Sequence, residues 1–169
     1  MSTRHLFFAL WPDARQRDRL RDVINSVVKT VEGRAVDRRN WHITLPYIGD
    51  IDEQHIPEIQ ELAAQVQVEP FRLGFDRLEF WARPRVACLA VAMVPPELER
   101  LVLSLNDVVR KVGVTPPDRT YRPHITVSRN VRPFTTERLT QRVATEWSSF
   151  ELMESVAAPG SVSYFPLKQ

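Results

Sequence analysis

His42-Ile43-Thr44-Leu45 and His124-Ile125-Thr126-Val127 are two copies of one pattern, about half a chain apart. Because successive side chains of a strand alternate between its two faces, each histidine shares a face with its own threonine. The aliphatic residues of each copy point the other way, into a core. Two such strands brought side by side would present two imidazoles and two hydroxyls to one cleft, an arrangement suited to a phosphate group.

Paired imidazoles suit acid and base chemistry, since an unperturbed imidazole has a pKa of about 6.5. Cleavage of a phosphodiester needs a base for the attacking oxygen and an acid for the leaving oxygen, and each contributes about 10² to 10⁴ in rate. The hydroxyls of Thr44 and Thr126 can donate hydrogen bonds to a non-bridging phosphate oxygen. This scheme requires no metal and no other cofactor.

Other catalytic schemes fit the sequence less well. His5 and His55 have no threonine two places on, so we assign both to structure or surface. A catalytic zinc site usually takes three ligands from His, Cys, Asp and Glu. No carboxylate or cysteine lies at ligand spacing from either motif. The chain contains no Gly-x-Ser-x-Gly elbow. A single cysteine, Cys88, excludes an internal disulfide and fits a reducing compartment. It lies in an apolar run, which predicts a buried thiol.

Composition predicts one globular domain over residues 1–169, with 43% hydrophobic and 26% charged residues. The net charge of +2 gives no basic field over the whole surface, so a nucleic acid would have to be bound locally. Arginines at positions 15, 17, 19 and 21 alternate with aspartates, as on a solvated helix face. No apolar stretch approaches the roughly 20 residues of a membrane helix. We expect a soluble, cytoplasmic monomer.

Hydrophobic periodicity and turn residues predict an alternation of strands and helices. The predicted strands and helices are a strand at Arg4–Trp11, a helix opened by Pro12-Asp13, the first motif strand, a helix near Pro57, strands at Phe71–Trp81 and Arg85–Met93, a helix over Leu98–Val112, the second motif strand, a helical or loop segment near Thr135–Thr145, and strands near Phe150–Val156 and Val162–Phe165. Each half thus delivers a helix and then a motif strand, which suggests an internal pseudo-repeat.

Basic and aromatic residues flank the motifs. Arg122 precedes His124 by two residues, and Arg129 follows it by five, an odd offset that turns it away unless the strand bulges. Spacing alone favours solvent exposure for both arginines. Trp41, one residue before His42, should face the core, and Tyr121 is one of several aromatic residues that could stack on a base.

The chain resembles the two-histidine phosphoesterase superfamily, and more closely its RNA 2',3'-cyclic phosphodiesterase branch, also called 2'-5' RNA ligase. The similarity covers nearly the whole chain. It rests on four segments: Arg4–Leu10, Asn40–Leu45 with Gly49, Arg122–Val127 with Arg129, and Ser155–Leu167.

This resemblance implies a bilobal α+β fold, in which two antiparallel sheets related by a pseudo-twofold axis surround a central cleft and the helices lie outside. It implies hydrolysis of an RNA-terminal 2',3'-cyclic phosphate to a 2'-phosphate, with reversible 2'-5' RNA ligation as a second reaction and with RNA ends or nucleotides as partners. His42 would be the proton donor and His124 the proton acceptor. Thr44, Thr126 and Arg129 would bind the phosphate.

Two departures from the family pattern bear on the site. Pro46 follows the first motif, so the strand is expected to bend or to lie at an edge there. The segment that ends the chain looks short, which leaves a contact from Tyr164 open. The same residues also fit a non-catalytic RNA- or nucleotide-binding module, or a phosphodiesterase for 2'-5' oligoadenylate or ADP-ribose cyclic phosphate.

Overall fold

The computed structural model describes residues 2–168, which form three α-helices and nine strands. In chain order these are β1 (Thr3–Leu10), α1 (Ala14–Val28), β2 (Arg34–Ala35), β3 (Ile43–Asp52), α2 (Ile56–Ala64), β4 (Phe71–Ala82), β5 (Arg85–Val91), α3 (Pro96–Lys111), β6 (His124–Arg129), β7 (Glu137–Trp147), β8 (Glu151–Ala158) and β9 (Ser161–Pro166). None of the helices within residues 2–168 has the length and apolarity to cross a membrane.

All nine strands belong to one antiparallel sheet, with eight in the order β7-β4-β5-β6-β3-β1-β8-β9 and β2 paired to β6. The halves β7-β4-β5-β6 and β3-β1-β8-β9 meet at one residue pair, Ile43 with Ile125. The α+β class is as predicted, but the expected two sheets are continuous. The physical reason is that both motif strands bury an isoleucine at the junction, where their backbones can pair.

Both motif strands occupy the same position in their halves. In the first half, β1 leads through α1 to β3, its antiparallel neighbour; in the second, β5 leads through α3 to β6, again its antiparallel neighbour. This arrangement agrees with the succession on which we based the pseudo-repeat. The repeated succession places each motif strand at the inner edge of its half.

The helices cover the apolar face of the sheet, and α1 and α3 each pack on the half of the sheet to which the preceding strand does not belong. Helix α1 follows β1 yet packs on β6 and β7, while α3 follows β5 and packs on β3. The Asp13 side chain accepts from the Gln16 amide and the Gln16 side chain accepts from the Asp13 amide, a capping box that fixes where α1 begins. Leu20 and Ile24 are the buried residues of α1. The helices therefore occupy the face opposite the motif histidines.

Strand β7 corrects the helical or loop segment predicted near Thr135–Thr145. Val143, Thr145 and Trp147 alternate as buried residues, with exposed or half-buried neighbours between them. Among residues 137–142, the first half of β7, Leu139 is the one apolar residue, and such polarity is common at an edge of a sheet, where charged side chains are favoured. That polarity hid the strand period from the sequence analysis.

The strand that carries the first motif is irregular at Pro46, as expected. Phe7 pairs with Tyr47 and Ala9 with Thr44, so β3 has one more residue than β1 over this interval. Such a bulge accommodates a residue that has no amide hydrogen to donate. It also raises the local twist where β3 leaves β6.

Gly33 packs tightly against β6, so a substitution at this position tests the packing beside the motif strand. A Cβ atom there would lie 2.7 Å from the Ser128 hydroxyl oxygen, 2.8 Å from a Val131 methyl carbon and 2.9 Å from the Arg129 carbonyl oxygen. We expect Gly33→Ala to lower the free energy of unfolding by about 1 to 3 kcal/mol in a denaturant titration, because overpacking forces the backbone to shift.

The matched control is Gly74→Ala in β4. A Cβ atom there meets only the flexible end of the Arg142 side chain within 3 Å, so we expect a change of less than about 0.5 kcal/mol. Equal destabilisation by both substitutions would contradict the tight packing at Gly33.

Candidate active site

The two motifs face each other across the junction of the sheet. From the pairing of Ile43 with Ile125, the antiparallel register places His42 opposite Thr126 and Thr44 opposite His124. Both isoleucines are fully buried, so the four polar side chains share the opposite face. Diagonal neighbours in such a pair have Cα atoms about 7–8 Å apart, which leaves room for one phosphate between the imidazoles. The structure thus brings all four predicted residues together.

Each histidine is held by the backbone in one ring orientation. Nδ1 of His42 lies 2.7 Å from the Asn40 carbonyl oxygen, and Nδ1 of His124 lies 2.9 Å from the Arg122 carbonyl oxygen. A carbonyl only accepts, so Nδ1 carries the proton and donates in both rings. Nε2 is therefore the nitrogen that can gain or lose a proton in both histidines.

His42 lies among aromatic rings. Trp11 stacks on it with centroids 5.4 Å apart and an interplanar angle of 22°, and the centroids of Phe7 and Tyr164 lie 5.4 and 5.0 Å away. Burial lowers the pKa of His42 to about 4; the hydrogen bond to the Asn40 carbonyl opposes this, and His124 and nearby arginines add smaller lowering contributions. Tyr164, whose contact the sequence left open, therefore forms one wall of the site.

Arg17 supports the segment just before His42, a role the sequence analysis missed by assigning this arginine to a solvated face. Its guanidinium donates to the carbonyl oxygens of Arg38 at 2.6 Å and Trp41 at 3.2 Å, and lies 5.3 Å from the Trp11 ring centroid. Arg17 is three residues before the buried Leu20, so helical spacing places it on the inward side. That spacing was the signal that could have identified it.

His124 has a different environment, built from polar as well as aromatic groups. The Trp81 ring centroid lies 4.1 Å from that of His124, and Glu79 accepts from Trp81 Nε1 at 2.9 Å and from Arg122 at 2.5 Å. Burial lowers the pKa of His124, and the charge of Arg122 adds to this, while Glu79 and the Arg122 carbonyl oppose it. Glu79 and Trp81 were also missed, since nothing in the motifs points to β4.

Arg129 reaches the motif face because β6 bulges. Ala87 pairs with Ser128 but the next residue of β5, Cys88, pairs with Thr126, so Val127 is the extra residue. Because of this extra residue, Arg129 lies on the same face as His124 despite the odd offset of five residues between them. A cavity of about 480 Å³ is lined by Arg129 together with His42, Thr126 and Tyr164.

Of the motif residues, His124 and Thr44 lie beside this cavity rather than in its lining, whereas Thr126 lines it. The Thr44 hydroxyl is 3.0 Å from His42 Nε2, and Thr126 Oγ1 is 3.8 Å from the sulfur of Cys88. Cys88 is buried, as predicted, and burial raises the pKa of its thiol to about 12. Tyr121 packs at the core and donates to the Thr44 carbonyl oxygen at 2.9 Å, so it supports the motif strand.

Two predictions for residues outside the motifs agree with the structure. His5 Nδ1 lies 2.9 Å from Asp50 and His55 Nδ1 lies 3.9 Å from Glu58, and all four side chains are exposed. Trp41 is buried in the core, as its offset from His42 indicated. Within residues 2–168, His, Cys, Asp and Glu side chains form no group of three or more placed to hold a metal ion.

Comparison with known proteins places these features in a family. Residues 11–154 match the model of the 2'-5' RNA ligase superfamily. An RNA 2',3'-cyclic phosphodiesterase of Archaeoglobus fulgidus is 27% identical over 168 residues, covering 89% of this chain and 93% of the relative. The RNA 2',3'-cyclic phosphodiesterase of Escherichia coli is 28% identical, covering 97% of this chain and 94% of the relative.

A solved structure agrees with the fold over almost the whole chain. The crystal structure of Escherichia coli LigT complexed with 3'-AMP superimposes with a TM-score of 0.86 at 27% identity, covering 99% of this chain and 97% of LigT. The match extends over both motif strands and the sheet that joins them. The resemblance on which the sequence analysis relied is confirmed, and the chain belongs to the 2'-5' RNA ligase superfamily.

Proposed function

We propose that the protein hydrolyses an RNA-terminal 2',3'-cyclic phosphate to a 2'-phosphate, with His42 and His124 as its acid and base. The observation that carries the proposal is the placement of two imidazoles on one sheet face, each with Nδ1 bound to a carbonyl and Nε2 free to exchange a proton. Homologues named RNA 2',3'-cyclic phosphodiesterase support the substrate class, and the LigT complex with 3'-AMP supports a nucleotide as the ligand.

The reaction follows from two proton transfers on opposite sides of phosphorus. Neutral His124 accepts a proton from water at Nε2 as the water oxygen bonds to phosphorus. The bond from phosphorus to the 3'-oxygen breaks, and that oxygen takes a proton from Nε2 of protonated His42. The products are a 2'-phosphate and a 3'-hydroxyl. With a 5'-hydroxyl in place of water, the same two proton transfers would form a 2'-5' phosphodiester and the same 3'-hydroxyl.

Charge on the phosphate controls whether His42 can act as the acid. In the free protein its low pKa keeps the ring neutral at pH 7, with the Thr44 hydroxyl placed to donate to Nε2. A bound phosphodiester puts a negative charge beside the ring, which favours the imidazolium and turns the same hydroxyl into an acceptor. Arg129 and Thr126, which line the cavity, are placed to stabilise the phosphate oxygens.

Removal of either imidazole tests the proposed pair. We expect His42→Ala and His124→Ala each to lower kcat for an RNA oligonucleotide ending in a 2',3'-cyclic phosphate by about 10² to 10⁴. The assay resolves 2'-phosphate from 3'-phosphate product in the presence of a chelator. His55→Ala, an exposed histidine away from the motifs, is the control and should retain full activity. Near-normal turnover by either motif variant would refute the proposal, and binding without turnover by the wild type would favour a binding module.

The assignment of donor and acceptor is tested with a leaving group that needs no proton. The substrate is a 3'-deoxynucleoside 2'-(4-nitrophenyl phosphate), from which water displaces nitrophenolate. We expect His42→Ala to hydrolyse this ester within about tenfold of the wild-type rate, whereas His124→Ala loses the base and with it about 10² or more. The opposite pattern would make His124 the donor.

The lowered pKa values predict the pH dependence. The profile of kcat/KM reports the free protein, where one ring must be neutral and the other protonated. Both imidazoles have pKa values below 6.5, so activity falls above the higher of the two and below the lower. We expect the optimum of kcat/KM below pH 6.5. The optimum of kcat should lie at higher pH, because the negative charge of the bound phosphate raises the pKa of both imidazoles. An optimum of kcat/KM above pH 7.5 would contradict these environments.

A further inference from the structure

The cavity lined by His42, Thr126 and Arg129 has a second arginine in its lining, Arg34. Strand β2 pairs with the end of β6, and Arg34 lies directly opposite Arg129 in this pairing. Residues directly opposite in an antiparallel pair share a face, so Arg34 is on the face that carries Thr126 and Arg129. Arg34 lines the same cavity, although no motif includes it.

The two arginines are not neutralised by the protein. Neither one has a hydrogen-bonded or ion-paired side-chain partner among residues 2–168, and like charges directly opposite in a sheet repel each other. Asp37 lines the cavity too, but its carboxylate accepts from the Arg39 amide at 2.8 Å and from Arg39 Nε at 3.0 Å. These bonds hold the pKa of Asp37 down at about 2. The cavity therefore keeps two cationic groups open to an anionic ligand.

The backbone around Arg34 is held firmly. The Val36 amide donates to the Val127 carbonyl oxygen and the Arg132 amide to the Glu32 carbonyl oxygen, both at 2.9 Å. Gly33 is packed against β6 so closely that no side chain fits there. Arg34 is thus presented from a fixed segment, which reduces the entropy lost when it binds a ligand.

The size and the lining of the cavity indicate what the ligand is. A volume of about 480 Å³ is in the range that holds a ligand of several groups rather than one tetrahedral anion. The β8–β9 hairpin also lines the cavity, at Gly160 and Ser161, and a hydrogen bond from Asn40 to the Val162 carbonyl oxygen at 3.4 Å ties it to the segment before His42. His42 and Arg34 both line this site, together with the hairpin turn.

We propose that Arg34 binds the phosphate next to the reacting one, so that the site is specific for the end of an RNA chain over a mononucleotide. The proposal rests on the function proposed above, with Arg129 at the reacting phosphate. An arginine is suited to this because its guanidinium can donate two parallel hydrogen bonds to one phosphate.

The test compares Arg34→Gln with the wild type on adenosine 2',3'-cyclic phosphate and on a tetranucleotide ending in a 2',3'-cyclic phosphate. We expect kcat/KM for the tetranucleotide to fall about tenfold or more, the scale of one charged hydrogen bond, and that for the mononucleotide to stay within twofold. The slope of log kcat/KM against log salt should become shallower by about 0.7 for the tetranucleotide. Arg15→Gln, an exposed arginine of α1 outside the cavity, makes the same charge change and should alter neither substrate.

Two results would overturn the proposal: an equal loss on both substrates, which would place Arg34 at the reacting phosphate, or no loss on either. If the wild type hydrolyses neither substrate, the proposed function fails, and binding decides the role of Arg34 separately. Calorimetry with a tetranucleotide and a mononucleotide, each ending in a 2'-phosphate, should then show the same selective loss of affinity in Arg34→Gln. Unchanged selectivity in that measurement would refute the role.

Discussion

Ile43 and Ile125 lie opposite each other at the junction of the two half-sheets, and both side chains are fully buried. Because side chains alternate along a strand, this apolar pair fixes the polar face beneath it: His42 beside Thr126, and Thr44 beside His124. A slip of one residue in either strand would bury that strand's histidine and threonine in the core and expose its isoleucine, so the core and the site specify the same register. The hydrophobic effect thus positions the groups that perform the chemistry.

One tetrapeptide gives two chemically different histidines because the surrounding strands differ. His42 is enclosed by the rings of Trp11 and Tyr164, and burial lowers its pKa to about 4. Burial also lowers the pKa of His124, but there the carboxylate of Glu79 opposes part of the effect. Enzymes that need an acid and a base at one pH commonly place two titratable groups in unlike environments. The asymmetry here comes from β4 and β9, outside both motifs.

The sequence predicted the parts of the site that depend on local patterns and missed the parts that depend on tertiary contacts. Alternation within each motif predicted the shared face. The odd offset of Arg129 favoured solvent exposure unless the strand twisted or bulged, and the structure contains such a bulge at Val127. Glu79 and Arg34 had no local signal, because sheet pairing alone brings them to the motifs. Strand β7 was missed for a related reason, since a polar edge strand carries little hydrophobic period.

The protonation of the two imidazoles is the most direct measure of this arrangement. Nitrogen chemical shifts of both rings, assigned with the alanine variants, can be recorded at pH 7 for the free protein and for its complex with adenosine 2'-phosphate. We expect two neutral rings with the proton on Nδ1 in the free protein, because carbonyls accept from both Nδ1 atoms. In the complex we expect one imidazolium, formed by protonation at Nε2. Two rings that stay neutral in the saturated complex would contradict an acid and base pair at a single phosphate.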